Sequence, residues 1–523
     1  HTSLLRSLRD ACGESGVITA DADLEFYASD LYETGVTPRA VVRPTSRAQV
    51  QDIVRIARAE GCALYPRGGG RSYSNAFLPQ TENALVVDTG GLDEIHKIDA
   101  ENLYVTVGVG RTWASLDEAL KPHGLRAVFW GPASGLNATI GGYKSQGTAN
   151  NSSDKNGTSS DAVLSYEVVT GSGDVLKTGR DAQEAGLPNY RTYGPDLTGI
   201  FNADAGALGI KIAVTLKLAA RPVALGGVSF AFESHASMIK GMRAATGLGL
   251  SAAIIAMDAD TADIRSGETG LMADLKKLLA IIRTAHNPLR GLVRGIKIAL
   301  AGRRVFEQAK YTGHFLVEAP SDAILQASER ALRKAVAPHG DEIPSAAIAM
   351  MRADLFPALP TTHFDGRRMI PVLGILAWSQ LVPFQNAYGD YVASKQAELD
   401  THEIVIADIF SVFGGSAVLM EPGFYWKDSH TDFHVRTRPD FLKDAEIWAQ
   451  ENEAARALVE EMRVHVVDLL HAHGAAHLQV GKAYPFMRGR SAPNKALLQA
   501  LKDHFDPDGL LNPGALEFPS KET

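Results

Sequence analysis

Cysteine is scarce in this chain, whose 523 residues include only two, Cys12 and Cys62. Two cysteines cannot form the disulfide framework of a small secreted domain, and neither stands in a cluster with the spacing of metal ligands. The sequence therefore excludes a disulfide-rich scaffold, and we expect no metal site.

Long apolar runs are also lacking. The longest candidate, residues 371–378, is much shorter than the ~18–20 apolar residues that a membrane span needs. We therefore expect no membrane span and a cytoplasmic protein. A processed periplasmic or secreted form stays open, because the chain begins at His1 rather than at a methionine.

A surplus of positive charge is the third feature that the sequence lacks. The chain has 52 Lys and Arg residues and 60 Asp and Glu residues, which gives a formal net charge of −8. Nucleic-acid phosphates are bound by surplus Lys and Arg, so we expect no nucleic-acid partner. The apolar fraction of 45% and the charged fraction of 21% are typical of a globular protein, and the length allows several domain-sized units.

Strands and short helices alternate over residues 1–220, which predicts an α+β domain built around two small sheets. Residues 221–464 contain longer helical stretches mixed with strands and are predicted to form a second domain. Residues 465–523 return to turn-rich sequence. Within the first part, Ser46 followed three residues later by Gln49 predicts a capping box, in which each side chain bonds the other residue's main-chain N–H, at the start of a helix. The apolar stripe of that helix is Val50, Ile53, Val54 and Ala57.

A glycine triplet, Gly68-Gly69-Gly70, follows a short predicted strand, and Arg67 and Arg71 flank it. Glycine lets the backbone adopt a positive φ and brings N–H groups close to an anion. With two flanking cations the turn suits a diphosphate. It is neither the G-x-G-x-x-G turn of a βαβ unit nor a Walker loop, because no Gly-Lys-Ser/Thr follows.

Two further glycine-rich turns border strands later in the chain, at residues 131–142 and 197–210. Each alone is an ordinary tight turn. Three such turns in this order favour one extended polar ligand on which they converge. By composition alone, the Ser-, Asn- and Gly-rich residues 145–161 indicate a flexible loop.

The order of these motifs resembles a known family, that of vanillyl-alcohol oxidase and p-cresol methylhydroxylase. Its FAD-binding domain is similar to three segments of this chain: Tyr65-Pro66-Arg67-Gly68-Gly69-Gly70-Arg71-Ser72; Pro132 with Thr139-Ile140-Gly141-Gly142; and Gly206-Ala207-Leu208-Gly209-Ile210. A fourth segment, Asp506-Pro507 with Leu511-Asn512-Pro513-Gly514, resembles the end of the family's chains. The resemblance covers residues 35–220 and 465–516.

The resemblance implies the cofactor FAD and an α+β fold. Residues 1–220 would be the N-terminal part of a two-subdomain FAD-binding domain, and residues 221–464 an α+β cap domain with an antiparallel sheet over the substrate. Residues 465–523 would return to the FAD domain and the active site. Residues 145–157 would then form an ordered loop on the FAD side. The residues implied to contact FAD are Pro66, Arg67, Gly68, Gly69, Gly70, Arg71, Ser72, Pro132, Thr139, Gly141, Gly142, Ser145, Gly206, Gly209, Ile210 and Asn512.

Many members of the family bind the flavin covalently through a histidine in the first glycine-rich turn. This chain has Arg71 and Ser72 in that neighbourhood, so we expect no covalent link from this turn. A link from the cap stays open, with Tyr425, His430 and His434 as candidate donors.

Two branches of the family differ in substrate. The D-lactate and glycolate branch needs histidines and a carboxylate in His-Gly runs near the C-terminus, where a metal polarises a hydroxy acid. The sequence around His473 and His477 lacks that arrangement. The branch that oxidises phenols and aromatic alcohols uses a Tyr and an Arg to stabilise a phenolate. By resemblance, we expect Tyr484, Arg488 and His477 to be the catalytic residues, although the Tyr and Arg stand four apart here rather than adjacent.

The sequence thus predicts an FAD-dependent oxidase or dehydrogenase that oxidises a hydroxylated small molecule, foremost a para-substituted phenol or aromatic alcohol, by hydride transfer to flavin N5. The alternatives are a D-2-hydroxy acid or sugar alcohol dehydrogenase on the same fold, and a flavin-binding protein without turnover. Oxygen or an electron-carrier protein would accept the electrons, and a homodimer stays open. Residues 278–304 predict a basic amphipathic helix, whose charged face is better explained by solvation than by an acidic partner or a membrane surface.

Overall fold

The computed structural model describes residues 2–148, 152–259, 309–442 and 448–519. The chain divides into two compact units. The first comprises His1–Thr148, Ser159–Ala220 and His477–Thr523, and the second comprises Ala149–Thr158 and Arg221–Ala476. The second unit includes the whole of the helix Glu453–Ala472. The predicted basic helix at residues 278–304 lies outside the described residues.

The first sheet of the first unit is mainly parallel. Its strands lie in the order Val17–Ile18, Ala40–Val42, Ala84–Asp88 and Ala63–Arg67. Ala84–Asp88 pairs in parallel with both of its neighbours, and Val17–Ile18 adds an antiparallel edge. A parallel pair requires a crossover, which the helix Arg47–Glu60 supplies between Ala40–Val42 and Ala63–Arg67.

The helix Arg47–Glu60 begins where the sequence predicted. Ser46 Oγ accepts the main-chain N–H of Gln49 at 3.3 Å, and Gly61 ends the helix with φ 61°. The reciprocal bond of the capping box differs from the prediction, because Gln49 Oε1 accepts from the main-chain N–H of Thr45 at 2.7 Å rather than from Ser46. The predicted apolar stripe is buried with residues of the sheet, including Leu64, Leu85 and Val87.

The second sheet of the first unit is antiparallel. Its strands lie in the order Ile95–Asp99, Tyr104–Gly108, Ile210–Ala220, Val163–Val169 and Val175–Lys177, and Leu125–Ala127 also pairs with Ile210–Ala220. Ile210–Ala220 is central and largely buried, which explains its β-branched sequence. The α-helices of this unit are Thr2–Cys12, Asp21–Tyr27, Arg47–Glu60, Trp113–Leu120, Ile140–Gln146, Leu197–Ile200 and Ala492–Phe505.

The C-terminal segment returns to the first sheet. The main-chain N–H of Leu64 donates to the carbonyl of Leu510 at 2.7 Å, and that of Asn512 donates to the carbonyl of Leu64 at 2.8 Å. The buried ammonium of Lys502 fixes this segment from the other side. It pairs with Asp506 at 2.6 Å and donates to the carbonyls of Leu511 and Ala207 at 2.7 and 2.8 Å.

The second unit is built on an antiparallel sheet. Its strands lie in the order Asp341–Ile343, Ala224–Phe232, Tyr311–Ala319, Ala253–Asp258, Val405–Phe413, Ala417–Trp426 and Gly374–Ala377, with Arg368–Pro371 also paired to Ala417–Trp426. Its α-helices are Ser153–Asn156, His235–Thr246, Asp322–Val336, Ala346–Ala353, Trp378–Ser394, Gln396–Thr401, Asp432–Arg436 and Glu453–Ala472. The predicted α+β class, with an antiparallel sheet in the second part of the chain, is confirmed. Over the described ranges, none of the helices has both the length and the apolarity that crossing a bilayer requires.

Part of the Ser- and Asn-rich segment is a short helix, Ser153–Asn156, and its contacts belong to the second unit. Asp154 Oδ1 accepts from the hydroxyl of Thr246 at 2.5 Å, and the carbonyl of Ser153 accepts from the main-chain N–H of Gly414 at 2.9 Å. Burial raises the pKa of Asp154 to about 6. Bonds within the second unit thus hold Ser153 and Asp154, whereas Ser145, at the start of the segment, belongs to the first unit.

Candidate functional site

The first glycine-rich turn follows the strand Ala63–Arg67 and packs directly against the second turn. A Cβ atom on Gly68 would lie 2.2 Å from Thr139 Oγ1, and one on Gly69 would lie 2.0 Å from the carbonyl oxygen of Asn137. Real Cβ atoms do not approach so closely, so Gly69 requires glycine and a side chain at Gly68 would displace the Thr139 hydroxyl. Two segments that are about 70 residues apart in sequence thus meet backbone to backbone.

Gly70 turns around the side chain of Arg67. Its φ is +66°, and a Cβ there would lie 2.3 Å from Arg67 Nη2. The guanidinium carbon of Arg67 lies 5.3, 4.7 and 5.2 Å from the ring centres of Phe26, Tyr27 and Phe77. Its buried Nε has no hydrogen-bond partner among the described residues. Burial lowers the pKa of Arg67, while the Asp88 carboxylate opposes the shift.

Arg71, on the other side of the glycines, is partly buried. Its guanidinium makes no hydrogen bond or ion pair with any residue in the described ranges. Burial, and then the like charge of Arg67, lowers the pKa of Arg71 to about 10. A buried cation is costly without an anionic partner, so the Arg71 guanidinium, which has no ion pair in the described ranges, favours a ligand that brings negative charge.

The second turn opens the helix Ile140–Gln146. Thr139 Oγ1 caps it by accepting the main-chain N–H of Gly142 at 3.3 Å. Gly141 packs against the second sheet, because a Cβ there would lie 2.6 Å from Val109 Cβ. Pro132 is buried and precedes the short 3₁₀ turn Ala133–Leu136.

The third turn joins the other two. A Cβ on Gly206, whose φ is +72°, would lie 3.3 Å from Pro66 Cγ in the strand that leads into the first turn. The carbonyl of Ser145, in the helix of the second turn, accepts the main-chain N–H of Ala205 at 2.9 Å. Gly209 and the buried Ile210 continue into the central strand, where a Cβ on Gly209 would lie 2.3 Å from Val168 Cγ1. The structure thus brings the three turns together in the first unit.

Three of the predicted cofactor residues use their side chains to hold the protein itself. Ser145 Oγ accepts from Lys211 Nζ at 3.0 Å, and Lys211 pairs with the buried Asp204 at 2.5 Å. The hydroxyl of Ser72 lies 3.1 Å from that of Ser74.

Asn512 is the third of these residues, and its side chain is fully used. Its Nδ2 donates to the carbonyls of Ala76 at 2.7 Å and Ala205 at 2.5 Å, while its Oδ1 accepts from Lys482 Nζ at 2.8 Å. Asn512 therefore ties the first and third turns to the C-terminal segment.

Sequence reasoning missed two lysines near these turns, the buried Lys144 and the half-buried Lys482. Lys144 is fully buried, donates to the carbonyl of Ser159, and lies 5.3, 5.4 and 5.5 Å from the ring centres of Trp113, Phe129 and Tyr143. Burial lowers the pKa of Lys144 to about 7.

The second missed lysine, Lys482, is surrounded by oxygen atoms of the loop that follows the first turn. Burial lowers the pKa of Lys482 to about 7, and the Asp30 carboxylate opposes this shift. No local pattern marks either lysine, because the groups that surround each one come from distant parts of the sequence.

The residues of these turns fit FAD as a ligand. The glycine triplet lies between Arg67 and Arg71, and the Arg71 guanidinium makes no hydrogen bond or ion pair with any residue in the described ranges. Arg67 and Arg71 would hold the diphosphate, together with the N–H groups of the glycine turn.

The predicted catalytic residues lie in the C-terminal segment of the first unit, and two of them are in contact. The rings of His477 and Tyr484 stack with their centres 4.5 Å apart and their planes 17° apart. Tyr484 is buried, whereas Arg488 is exposed. The neighbouring Arg490 is used locally, with its guanidinium carbon 4.0 Å from the ring centre of Phe486.

The candidate donors of a covalent flavin link lie in the second unit. Both ring nitrogens of His430 are hydrogen-bonded, since Nε2 donates to the carbonyl of Gly366 at 2.6 Å and Nδ1 accepts from Arg438 at 3.1 Å. Burial lowers the pKa of His430. His434 Nδ1 lies 2.8 Å from the hydroxyl of Thr431. Tyr425 stands in the strand Ala417–Trp426.

Comparison with known proteins agrees with the FAD fit. Residues 38–179 match the protein family described as an FAD binding domain. D-lactate dehydrogenase (cytochrome) 1 from the mitochondria of Saccharomyces cerevisiae is 26% identical over 212 residues, which cover 39% of this chain and 35% of that protein. Glycolate oxidase subunit GlcD of Bacillus subtilis is 31% identical over 187 residues, which cover 35% of this chain and 38% of that protein. The chain thus spans little more than a third of the length of these relatives.

The fold likeness extends over the whole chain. The structure of p-cresol methylhydroxylase with substrate bound is similar with a TM-score of 0.70 and 15% identity, covering 100% of this chain and 98% of that one. The predicted cofactor is confirmed, and so is the resemblance on which it rested. Residues 38–179 therefore form an FAD-binding domain, and FAD is the cofactor of this chain.

Proposed function

We propose that the chain is an FAD-dependent oxidoreductase that oxidises a hydroxylated small molecule, foremost a para-substituted phenol or an aromatic alcohol. The observation that carries this proposal is the stacked pair of His477 and Tyr484, in a segment bonded to the loop that follows the first glycine-rich turn. In that loop Tyr73 accepts at its hydroxyl from Gln479 Nε2 at 2.9 Å, and the carbonyl of Ser74 accepts from the main-chain N–H of Lys482 at 3.0 Å. When bound, FAD supplies a hydride acceptor at flavin N5.

Tyr484 is the residue we assign to the substrate hydroxyl. A phenol is a weak acid, and a hydrogen bond to its oxygen stabilises the phenolate that eases loss of hydride from the para side chain. Tyr484 is 4% exposed, so a bond from its hydroxyl would act with little competition from water. The imidazole of His477, stacked on the same ring, is the group we assign to hold the released proton.

Arg488 is a weaker candidate than the sequence suggested. Its side chain is exposed, and the field of an exposed guanidinium is screened by water and salt. We therefore assign phenolate stabilisation mainly to Tyr484 and expect Arg488 to contribute less.

A D-2-hydroxy acid is the second candidate substrate. Two relatives with 26% and 31% identity are named as a D-lactate dehydrogenase and a glycolate oxidase subunit, which favours a small hydroxy acid. A sugar alcohol on the same fold belongs to this alternative. Oxygen or an electron-carrier protein would accept the electrons in either case, and the proposal includes a homodimer.

The test is anaerobic reduction of the bound FAD, followed as the loss of its visible absorption. We expect bleaching by para-substituted phenols or aryl alcohols, rather than by D-lactate, glycolate or sugar alcohols. Bleaching by the hydroxy acids alone would transfer the proposal to the second candidate. An oxidised spectrum that no member of the panel changes would favour a flavin-binding protein without turnover.

In the same assay, Tyr484→Phe is expected to slow reduction by about a hundredfold, because it removes one hydrogen bond to developing negative charge. Arg488→Ala should slow it by less than about tenfold. Tyr190→Phe is the matched control, because Tyr190 is 55% exposed. The FAD of this variant should be reduced at the wild-type rate. Unchanged reduction in Tyr484→Phe, with FAD still bound, would remove Tyr484 from the active site.

A further inference from the structure

The ammonium group of Lys482 lies in a cage of four oxygen atoms. Nζ donates to the carbonyl oxygens of Asn75, Ala76 and Leu78 at 3.1, 3.1 and 3.2 Å, and to Oδ1 of Asn512 at 2.8 Å. The ring centre of Tyr65 lies 5.0 Å from Nζ. Three main-chain carbonyls and one amide oxygen around a single positive charge are the surroundings that a bound monovalent cation would have.

The oxygen atoms of the cage favour the ammonium over the neutral amine, in opposition to burial, which lowers the pKa of Lys482 to about 7. An ammonium group presents three N–H donors and no lone pair, so it can donate to all four oxygens when one N–H is shared between two of them. A neutral amine would turn a lone pair toward one of these oxygens. No carboxylate is hydrogen-bonded to Lys482 among the described residues, and Asp30 acts on it only through its charge. Lys502 differs, because Asp506 balances its charge directly.

The three carbonyls belong to the loop that directly follows the first glycine-rich turn. This loop does not hold its shape by regular secondary structure, and Asn75 has a φ of 55°. Its main chain is instead bonded from outside, since the N–H of Asn75 donates to Asp30 Oδ2 at 3.0 Å. Gly481, next to Lys482, has a φ of +50°, and a Cβ there would lie 2.4 Å from the carbonyl oxygen of Ser74. The C-terminal segment therefore contacts the loop at Gly481, where a side chain would collide with Ser74, and this contact places the Lys482 ammonium beside the carbonyls.

We propose that the Lys482 ammonium is the resident cation of this cage and a positioning residue for FAD. It gathers carbonyls that would otherwise repel one another, and thereby holds residues 72–78, and with them Gly68–Gly70, in the conformation that binds the diphosphate. This inference concerns FAD binding alone and does not depend on which substrate is oxidised.

The experiment is FAD titration of the apoprotein in the variant Lys482→Ala, which empties the cage. We expect FAD affinity to fall by about tenfold or more, the scale of a lost hydrogen bond to a charged group. Methylammonium or ethylammonium chloride should restore much of that affinity. Tetramethylammonium chloride at the same ionic strength should not, because it has no N–H donor. Wild-type affinity in Lys482→Ala, or a loss that no primary ammonium ion relieves, would overturn the proposal.

A second variant separates the charge from the space it fills. Lys482→Met keeps most of the side-chain volume without the ammonium, so it should fold, bind FAD weakly and gain nothing from methylammonium. It also decides the matter if Lys482→Ala fails to fold, because wild-type FAD affinity in Lys482→Met would exclude a role for the cation. The control Lys495→Ala removes an exposed lysine and should bind FAD as the wild type does, with or without the amines. Equal recovery of both Lys482 variants would indicate a general salt effect and would also contradict the proposal.

Discussion

The three glycines of the first turn exclude a side chain for different reasons. Gly70 has a positive φ, whereas Gly68 faces the hydroxyl of Thr139 and Gly69 faces the main-chain carbonyl of Asn137. A hydroxyl can rotate away, but a carbonyl in a neighbouring turn moves only if the whole turn moves. Gly69 is therefore the position at which the smallest added group should separate the first two turns.

We expect Gly69→Ala to lower FAD affinity by about tenfold or more, because overpacking of this kind costs ~1–3 kcal/mol and the displaced turns both belong to the site. Fluorescence titration of the apoprotein with FAD measures the effect.

Gly389→Ala is the matched control for this substitution. A Cβ on Gly389 meets nothing within 4 Å, and the residue lies in the helix Trp378–Ser394. Alanine is favoured over glycine in a helix by ~1 kcal/mol, so this variant should keep FAD affinity and unfold at a slightly higher temperature. Equal FAD affinities in the two variants would show that the contact with Asn137 does not matter.

Lys144 makes stability depend on pH. The unfolded lysine keeps its proton up to a pKa of ~10.4, whereas burial lowers the pKa in the folded state to about 7. Between these values the unfolded state binds more protons, so the contribution of this group to stability rises with pH and is lost as pH falls toward the folded pKa. From about pH 7 to 9, the stability of the wild type relative to Lys144→Met should increase, by at most ~1.4 kcal/mol per pH unit.

Thermal unfolding of both proteins across this pH range measures that difference. The control is Lys495→Met, since the side chain of Lys495 is in water in both the folded and the unfolded state. Its difference from the wild type should stay constant. If the stability difference between the wild type and Lys144→Met were also constant with pH, burial would not lower the pKa of Lys144.

At the scale of elements, the sequence predicted what local chemistry decides. Ser46 and the stripe that begins at Val50 predicted the helix Arg47–Glu60, and the β-branched residues of Ile210–Ala220 suit its place as the central strand. These signals lie within one turn of helix or along one strand, where periodicity is informative. The reciprocal capping bond was wrong by one residue, because Gln49 can reach the N–H of Thr45 as well as that of Ser46.

The buried and half-buried lysines could not be predicted in this way. Lys144, Lys211, Lys482 and Lys502 each donate to oxygens from other segments, at sequence separations that reach 295 residues for Lys502 and Ala207 and 407 for Lys482 and Asn75. A lysine is ordinarily exposed, so its burial becomes evident only once the fold has collected the carbonyls around it. The stacking of His477 on Tyr484 is a contact of the same kind, with no periodic signal in the sequence.

At the scale of the whole molecule, the candidate FAD site belongs to the first unit but to no single stretch of chain. Residues 68–72, 137–142 and 203–206 meet through Thr139, Pro66 and the helix Ile140–Gln146. A ligand that contacts all three turns stabilises the native state of each by the same mass-action term. Its effect should therefore appear at distant places in the sequence at the same FAD concentration.

Hydrogen exchange with and without FAD tests this directly. We expect slower amide exchange in all three segments, because opening any one of them would release the shared ligand. Protection from exchange should increase in all three at the same FAD concentrations. The exposed residues 101–103, in the turn between the strands Ile95–Asp99 and Tyr104–Gly108 of the same unit, serve as the internal control and should not change. Protection confined to residues 68–72 would mean that the first turn binds FAD by itself. The contacts among the turns would then be packing, and the Lys482 cage would act on one loop rather than on a site built from three.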